Sequence, residues 1–350
     1  RGSGLGVHAV MTLSRSNELR MAQQPLVGTR LELRLNDPAD SLIARKLSKT
    51  LRADVPGRVL TPEQLFAHAA LPIADDADTS HGVGTALEEL AGQIASRWPG
   101  ERPAPIRMLP ETIDPADLPD GEEPDLLPLG LFQDTMTPIN LDLVGRDPHL
   151  LVLGDPGCGK STVLRGVIES LVERHTPDEL VIAVYDMRRT TADACPESYL
   201  GGHATSAALA EGLSASIAQE LERRSAAMSA GEEPDGPRIV LVVDDYDILA
   251  AGNSNPLAPI IPYLSSARDL RLNVALTRPV AGSSQAMYDQ LLQALRNTGA
   301  TGLLMDGERS EGIVMAGMRA EHLRPGRGWW LRRGARPRLA QVADYGQSPS

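Results

Sequence analysis

Cysteines, aromatic residues and long apolar runs are all scarce in this chain of 350 residues. Two cysteines, Cys158 and Cys195, allow at most one disulfide, which excludes a disulfide-stapled scaffold. The longest aliphatic run, Ile239–Val243, is far shorter than the roughly 20 residues that a membrane-spanning helix needs. No secretory signal pattern opens the chain, which begins at Arg1, so we expect a fragment or a processed product. This composition indicates a soluble α/β protein from a reducing compartment.

Positive charge is the minority sign: 34 Lys and Arg stand against 46 Asp and Glu, a formal net charge of −12. Such a surface repels phosphate backbones, so the composition disfavours nucleic-acid binding unless a local basic patch exists. At about 150 residues per domain, the length suggests two domains, or one large domain with an attached piece.

A proline-rich, acidic segment divides the chain. Residues 99–128 contain eight prolines and eight acidic residues, a composition that disfavours helices and a buried core and predicts an extended linker. Just before it, Thr85–Trp98 has apolar residues at helical spacing. We therefore predict a domain remnant over 1–75, a helix with the acidic linker over 76–125, a complete domain over 126–346 and a tail over 347–350.

Strand and helix patterns alternate after this linker, which predicts a doubly wound, mostly parallel sheet. The predicted strands are 150–153, 180–185, 238–243, 272–276, 302–305, 313–315 and 329–331. The predicted helices are 160–174, 206–228 and 285–296.

The first 75 residues resemble the end of the 126–346 domain. Pro56-Gly57-Arg58 matches Pro325-Gly326-Arg327 at an offset of 269, and Asp37 matches Asp306 at the same offset. We interpret the match as a tandem repeat in which the first copy lacks its front half. Chance similarity of two strands and a turn is the alternative.

Residues 154–161 fit the P-loop pattern G-x-x-x-x-G-K-[ST], between a predicted strand and a predicted helix. In this pattern glycines let backbone N–H groups surround phosphate oxygens, the lysine adds positive charge and the hydroxyl ligates Mg²⁺. The pattern predicts binding of ATP and Mg²⁺. The predicted nucleotide-binding residues are Gly154, Asp155, Pro156, Gly157, Cys158, Gly159, Lys160, Ser161 and Thr162.

The aliphatic run Ile239–Val243 ends in Asp244 and Asp245, the arrangement of a Walker B strand. We predict that Asp244 holds Mg²⁺ together with Ser161 and that Asp245 faces the γ-phosphate as the catalytic base. Many ring ATPases carry Glu at this second position. Asp is one methylene shorter, which predicts slow hydrolysis.

Four further polar residues follow the ends of predicted strands. Thr277 and Arg278 are candidate catalytic residues: Thr277 would sense the γ-phosphate or the attacking water, and Arg278 would contact a phosphate or a neighbouring subunit. Arg188 and Arg189 follow another strand, at the edge where open α/β sheets bind ligands. For all of these, an ordinary strand-end role is the alternative.

These motifs, with the Pro-Gly-Arg-Gly turn at 325–328, resemble the EccC ATPases of type VII (ESX) secretion, within the FtsK/SpoIIIE-like motor superfamily. The resemblance implies a P-loop NTPase (RecA/FtsK-like) fold and cytoplasmic ATPase domains of an inner-membrane motor that assembles as hexamers with other secretion-machinery subunits. It also implies that the last domain binds the C-terminal export signal of small Esx/WXG-type substrates.

Two other functions remain open: a DNA translocase of the same superfamily, and a module that holds nucleotide without turning it over. A surplus of apolar helix surface leads us to expect a groove for the export signal. The residues expected to line it are Leu209, Leu213, Ile217 and Leu221 on one helix and Leu257, Ile260, Ile261 and Leu264 on the next segment.

Overall fold

The computed structural model describes residues 8–15, 18–71, 83–100, 107–119, 123–251, 255–286 and 288–346. The predicted tail 347–350 lies outside these residues. The chain divides into two compact units, Arg1–Ala104 and Pro105–Ser350. Within the described residues, no helix combines the length and the apolar character that crossing a membrane requires.

The first unit contains little regular structure. Its elements are the helices α1 (Arg45–Ser48) and α2 (Val83–Arg97) and the hairpin of β1 (Arg58–Leu60) and β2 (Phe66–His68). Val59 and Leu60 are buried, but α2 has no buried residue, so its apolar stripe is exposed.

The second unit is built on a ten-stranded sheet. Its strands are β3 (Leu126–Phe132), β4 (Pro138–Asp142), β5 (His149–Leu153), β6 (Leu180–Asp186), β7 (Leu200–Ala204), β8 (Arg238–Asp244), β9 (Leu272–Arg278), β10 (Thr301–Leu304), β13 (Arg327–Leu331) and β14 (Arg338–Val342). The strand order is β4-β3-β14-β13-β10-β5-β9-β8-β6-β7. The run from β10 to β7 is parallel, whereas β13, β14, β3 and β4 pair antiparallel. The predicted mostly parallel P-loop sheet is confirmed.

Helices cover both faces of this sheet, which explains why β5 and β9 are buried along their whole length. The helices are α3 (Lys160–Arg174), α4 (Ala207–Ser229), α5 (Tyr246–Leu249), α6 (Ser283–Ala286) and α7 (Gln290–Asn297), with a 3-10 helix at Ala258–Ser266. One core lies under α3 and contains Leu164 and Ile168. The other lies under α4 and the 3-10 helix and contains Leu221 and Ile260.

Two predicted elements differ in the structure. The single helix predicted over 285–296 is two helices, because Asp289 caps α7 by accepting a hydrogen bond from the Leu292 amide. The strand predicted at 313–315 is β11 (Ile313–Met315), which pairs with β12 (Met318–Arg319) outside the main sheet. Ala316 and Gly317 both have positive φ, as a tight two-residue hairpin turn requires, so the chain reverses direction between β11 and β12.

The proline-rich segment also differs from the expectation that it buries no core. Leu109, Ile113 and Leu118 are buried, and the last two pack with Ala343 and Tyr345. The end of the segment forms β3, in which Pro128 lies at a register shift of the strand pairing, where a missing N–H is tolerated. A local composition rule missed this packing because the partners lie more than 200 residues away in the sequence.

The predicted repeat has a counterpart in backbone geometry. Gly57 and Gly326 both have positive φ, at 82° and 73°. Each directly precedes a strand, β1 or β13, that pairs antiparallel with the next strand in the sequence. The repeat of whole domains stays a prediction.

Candidate nucleotide-binding site

The loop between β5 and α3 has the backbone form that phosphate binding requires. Gly159 precedes α3 with φ of 103°, a conformation that side chains with a Cβ rarely adopt. At Gly154, a Cβ would lie 2.5 Å from the Cys158 sulfur, so this position has room only for glycine. The loop therefore leads directly into the N-terminus of a 15-residue helix, whose free N–H groups and dipole favour an anion.

Neighbouring segments hold this loop in place. The Gly154 amide donates to the Arg278 carbonyl at 3.2 Å, and the Asp155 amide donates to the Asp306 carbonyl at 2.8 Å. The Gly326 amide donates to the Cys158 carbonyl at 2.8 Å. The Cys158 side chain points into the core, where burial raises the pKa of its thiol. Three hydrogen bonds thus hold the loop to the segments around it.

Ser161 and Asp244 form a hydroxyl–carboxylate pair at the start of α3. The Ser161 Oγ donates to the Asp244 Oδ2 at 2.7 Å, and Asp244 is 2% exposed. Oxygen atoms of this kind are what Mg²⁺ prefers, so the two residues fit the predicted metal. Lys160 is also largely buried, with its Nζ 3.4 Å from the Asp155 carbonyl, and Thr162 is partly buried in the same helical turn.

Asp245 is held at the end of β8 by Asp244 and Thr277. Its backbone is left-handed, with φ of 48°, and its amide donates to the Thr277 Oγ1 at 2.8 Å. Burial and the neighbouring Asp244 raise the pKa of the Asp245 carboxyl, while Lys160 and Arg188 oppose this shift. Thr277 is fully buried and donates to the Asp244 Oδ1 at 2.5 Å. The Thr277 hydroxyl therefore contacts both aspartates, the Asp244 carboxylate and the Asp245 amide, and positions them relative to each other.

The structure does not bring the Arg278 side chain to this cluster. Successive residues of a strand face opposite sides of the sheet, so Thr277 faces α3 and Arg278 faces away. Its guanidinium donates to the carbonyls of Pro279 and Ala281, at 3.2 and 3.4 Å. Burial lowers the pKa of Arg278.

Sequence reasoning missed Thr190 and left Arg188 undecided. Thr190 Oγ1 donates to the Asp244 Oδ2 at 2.6 Å, the same oxygen that Ser161 contacts. Arg188 pairs with Asp245, with 3.3 Å between Nε and Oδ2. β6 lies beside β8, and Asp186 pairs in register with Asp244, so residues after β6 reach the carboxylates. The sequence pattern does not specify this strand order, so it gave no signal for Thr190.

A cavity of about 30 Å³ lies beside Arg278, on the face of the sheet opposite to α3 and the Asp244 cluster. It is lined by Leu151, Leu153, Arg278, Ser283, Ala286, Leu292, Arg296, Val314 and Met315. Two exposed apolar side chains flank these residues in the sequence, Tyr288 at 83% and Ile313 at 52% exposure.

The expected groove residues mostly belong to the core instead. Ile217, Leu221, Leu257, Ile260 and Leu264 are buried, because α4 packs against the 3-10 helix Ala258–Ser266. Leu209 alone of the predicted stripe is exposed by more than half. The expectation that these two stripes form an open groove is therefore wrong.

A family model and curated relatives both relate this chain to the FtsK/SpoIIIE family and its EccC members. The FtsK/SpoIIIE family model matches residues 119–235, which include the P-loop. The chain is 33% identical to the ESX secretion system protein EccC of Thermomonospora curvata, over 98% of this chain and 26% of that protein. It is also 33% identical to the ESX-4 secretion system protein EccC4 of Mycobacterium tuberculosis, over 98% of this chain and 27% of that protein.

A solved structure agrees with these relatives. It contains ATPases 2 and 3 of T. curvata EccC in complex with a signal sequence peptide, and matches with a TM-score of 0.68 and 32% identity. The match covers 94% of this chain and 60% of that one. The present chain spans about a quarter of the length of the two curated relatives.

Proposed function

We propose that this chain is an ATP-binding module of a type VII protein-export motor. The proposal is supported by its FtsK/SpoIIIE domain and by its homology to the EccC proteins of ESX secretion systems. In this proposal it engages the C-terminal export signal of small Esx/WXG-type substrates and hydrolyses ATP slowly or under regulation. It works with other secretion subunits, in a hexameric motor on the cytoplasmic side of an inner membrane.

The cluster of side chains around Asp244 is the main support for the proposed nucleotide binding. This buried carboxylate accepts hydrogen bonds from Ser161, Thr190 and Thr277, directly below the P-loop. Bound Mg²⁺ would be held by Ser161 and Asp244 and would neutralise charge on the phosphates. The chain's own residues bind and orient: backbone N–H groups of the loop surround the phosphates, and Lys160 adds positive charge.

Slow hydrolysis follows from how Asp245 is held. Its side chain is one methylene shorter than the Glu that many ring ATPases carry, and its amide is fixed by Thr277, so the carboxylate stands further from a bound γ-phosphate. Arg278 faces the other side of the sheet, so we assign it to a peptide or subunit contact rather than to the phosphates of its own domain.

We expect the isolated chain to turn over ATP at well below about 1 s⁻¹, because an arginine supplied by a neighbouring subunit is commonly worth 10³–10⁵ in rate. Steady-state phosphate release with saturating ATP and Mg²⁺ measures this. A rate above that value would contradict the proposal that this chain alone hydrolyses ATP slowly.

The export signal is proposed to bind at the cavity beside Arg278. The similar EccC structure contains a signal sequence peptide, which shows that such a ligand binds that protein. Here, the cavity accepts only a small apolar group, while Tyr288 and Ile313 offer exposed apolar surface near its lining. A short amphipathic helix could place one anchoring side chain in the cavity and lie across the two exposed residues.

Peptides from the C-termini of Esx-type proteins test this proposal. We expect binding at about 100 μM, where even an interaction of about −5.5 kcal/mol registers. Ile313→Asp should weaken binding at least about tenfold, because it places a charge on apolar contact surface. Leu209→Asp, a change of equal chemistry at the similarly exposed position on α4, should leave it unchanged. Absence of binding, or equal loss in both variants, would rule out this site.

A further inference from the structure

Arg188 contacts Asp245 from a loop that is itself firmly held. The buried carboxylate of Asp186 accepts hydrogen bonds from the amides of Arg188 and Thr191, at 3.1 and 2.7 Å. Thr190 attaches the same loop to Asp244. The backbone of Arg188 is therefore fixed beside the nucleotide site, and its long side chain is the part that can move.

The Arg188–Asp245 pair is too exposed to serve mainly as a structural contact. The Arg188 side chain is 63% exposed, whereas that of Asp245 is 18% exposed. Exposed ion pairs contribute about 0–1 kcal/mol to stability, because solvent screens the charges and the long side chain loses freedom. Breaking this pair therefore costs the fold little.

Two cations, Lys160 and Arg188, lie at this end of the loop and oppose the negative charge of the aspartates. Lys160 and Arg188 both act on the Asp245 carboxylate, and Asp244 is already occupied by three hydroxyl groups. A terminal phosphate next to Lys160 would enter beside the Arg188 guanidinium. Arginine donates several N–H groups in a planar fork, which suits phosphate oxygens at least as well as a single carboxylate.

We propose that Arg188 is the residue with which this site distinguishes a nucleoside triphosphate from a diphosphate. Without a terminal phosphate, its guanidinium pairs with Asp245. When a triphosphate binds, the guanidinium moves to the terminal phosphate and leaves Asp245 free to orient water. The inference rests on the proposed nucleotide binding and assigns a specific role to an arginine within the same chain.

Calorimetry with ADP and with a β,γ-imido ATP analogue, each with Mg²⁺, tests the proposal on the full chain. Arg188→Ala should weaken the analogue at least about tenfold and leave ADP within about twofold. Arg189→Ala is the matched control, since it removes the adjacent exposed arginine, and it should change neither ligand. Equal losses for both ligands, or none, would overturn the proposal.

A double-mutant cycle tests whether Asp245 and the phosphate share Arg188. Asp245→Asn should tighten analogue binding in the parent chain, because the competing carboxylate is gone. The gain should be smaller in the Arg188→Ala background; an equal gain would contradict the sharing of Arg188. If the parent chain bound neither ligand, the nucleotide-binding function itself would fail, which is a distinct result from a failure of the Arg188 variants alone.

Discussion

Lys160→Ala is expected to weaken binding of ATP–Mg²⁺ by about ten- to a hundredfold. The side chain supplies a charge-assisted contact to the phosphates, worth roughly 1.5–3 kcal/mol. Lys160 is the one Lys or Arg among residues 154–161, so no other cation of the same loop replaces it. Isothermal titration of the parent chain and the variant measures the effect.

The matched control is Cys158→Ala in the same loop. The Cys158 side chain points into the core, 3.9 Å from the Met305 sulfur, while its carbonyl accepts from Gly326. The substitution leaves the backbone donors of the loop in place, and we expect affinity within about twofold of the parent. Unchanged affinity in Lys160→Ala would refute the P-loop assignment. A large loss in Cys158→Ala would mean that side-chain packing, and not Lys160, determines binding.

The parallel half of the fold was predictable because its signals are local. The aliphatic run before Asp244 and the glycines before Lys160 each specify a strand end or a turn without reference to distant residues. Because the carboxyl ends of parallel strands meet at one edge, the two motifs were expected to come together. The structure places Ser161 and Asp244 2.7 Å apart.

The antiparallel half was not predictable in the same way. β3 and β4 lie inside or next to a segment whose proline and acid content disfavours structure, and the pairing of β3 with β14 joins residues about 200 positions apart. Helix periodicity likewise could not tell the buried Leu221 from the exposed Leu209, because an apolar stripe is the same whether a protein core or a peptide covers it. Thr190 required knowledge of which strand lies beside β8.

Asp147 connects the two halves of the sheet at the end opposite the P-loop. It is fully buried just before β5 and accepts from the Thr301 hydroxyl at the start of β10, at 2.5 Å, and from the Asp142 amide at the end of β4, at 2.9 Å. Arg332, which follows β13, donates two N–H groups to the same carboxylate. One side chain thus joins a parallel strand pair to two antiparallel strands.

Asp147→Ala is therefore expected to lower the free energy of unfolding by about 3–5 kcal/mol, because it leaves a mostly buried arginine and two other donors without their acceptor. For a unit of this size the thermal midpoint should fall by roughly 2–4 °C for each kcal/mol. Differential scanning calorimetry of the parent chain and the variant measures the change. Nucleotide affinity, measured well below the lowered midpoint, should stay the same, since the strand β5 separates Asp147 from the P-loop.

Asp134→Ala is the control, because Asp134 also pairs with an arginine of the β13–β14 hairpin, Arg338, but at the surface. Its side chain is 59% exposed, so solvent replaces the lost contact and we expect a change within about 1 kcal/mol. Equal changes in the two variants would contradict a special role for the buried carboxylate. A loss of nucleotide binding by folded Asp147→Ala would show instead that the two ends of β5 are coupled, and that the antiparallel half takes part in forming the P-loop.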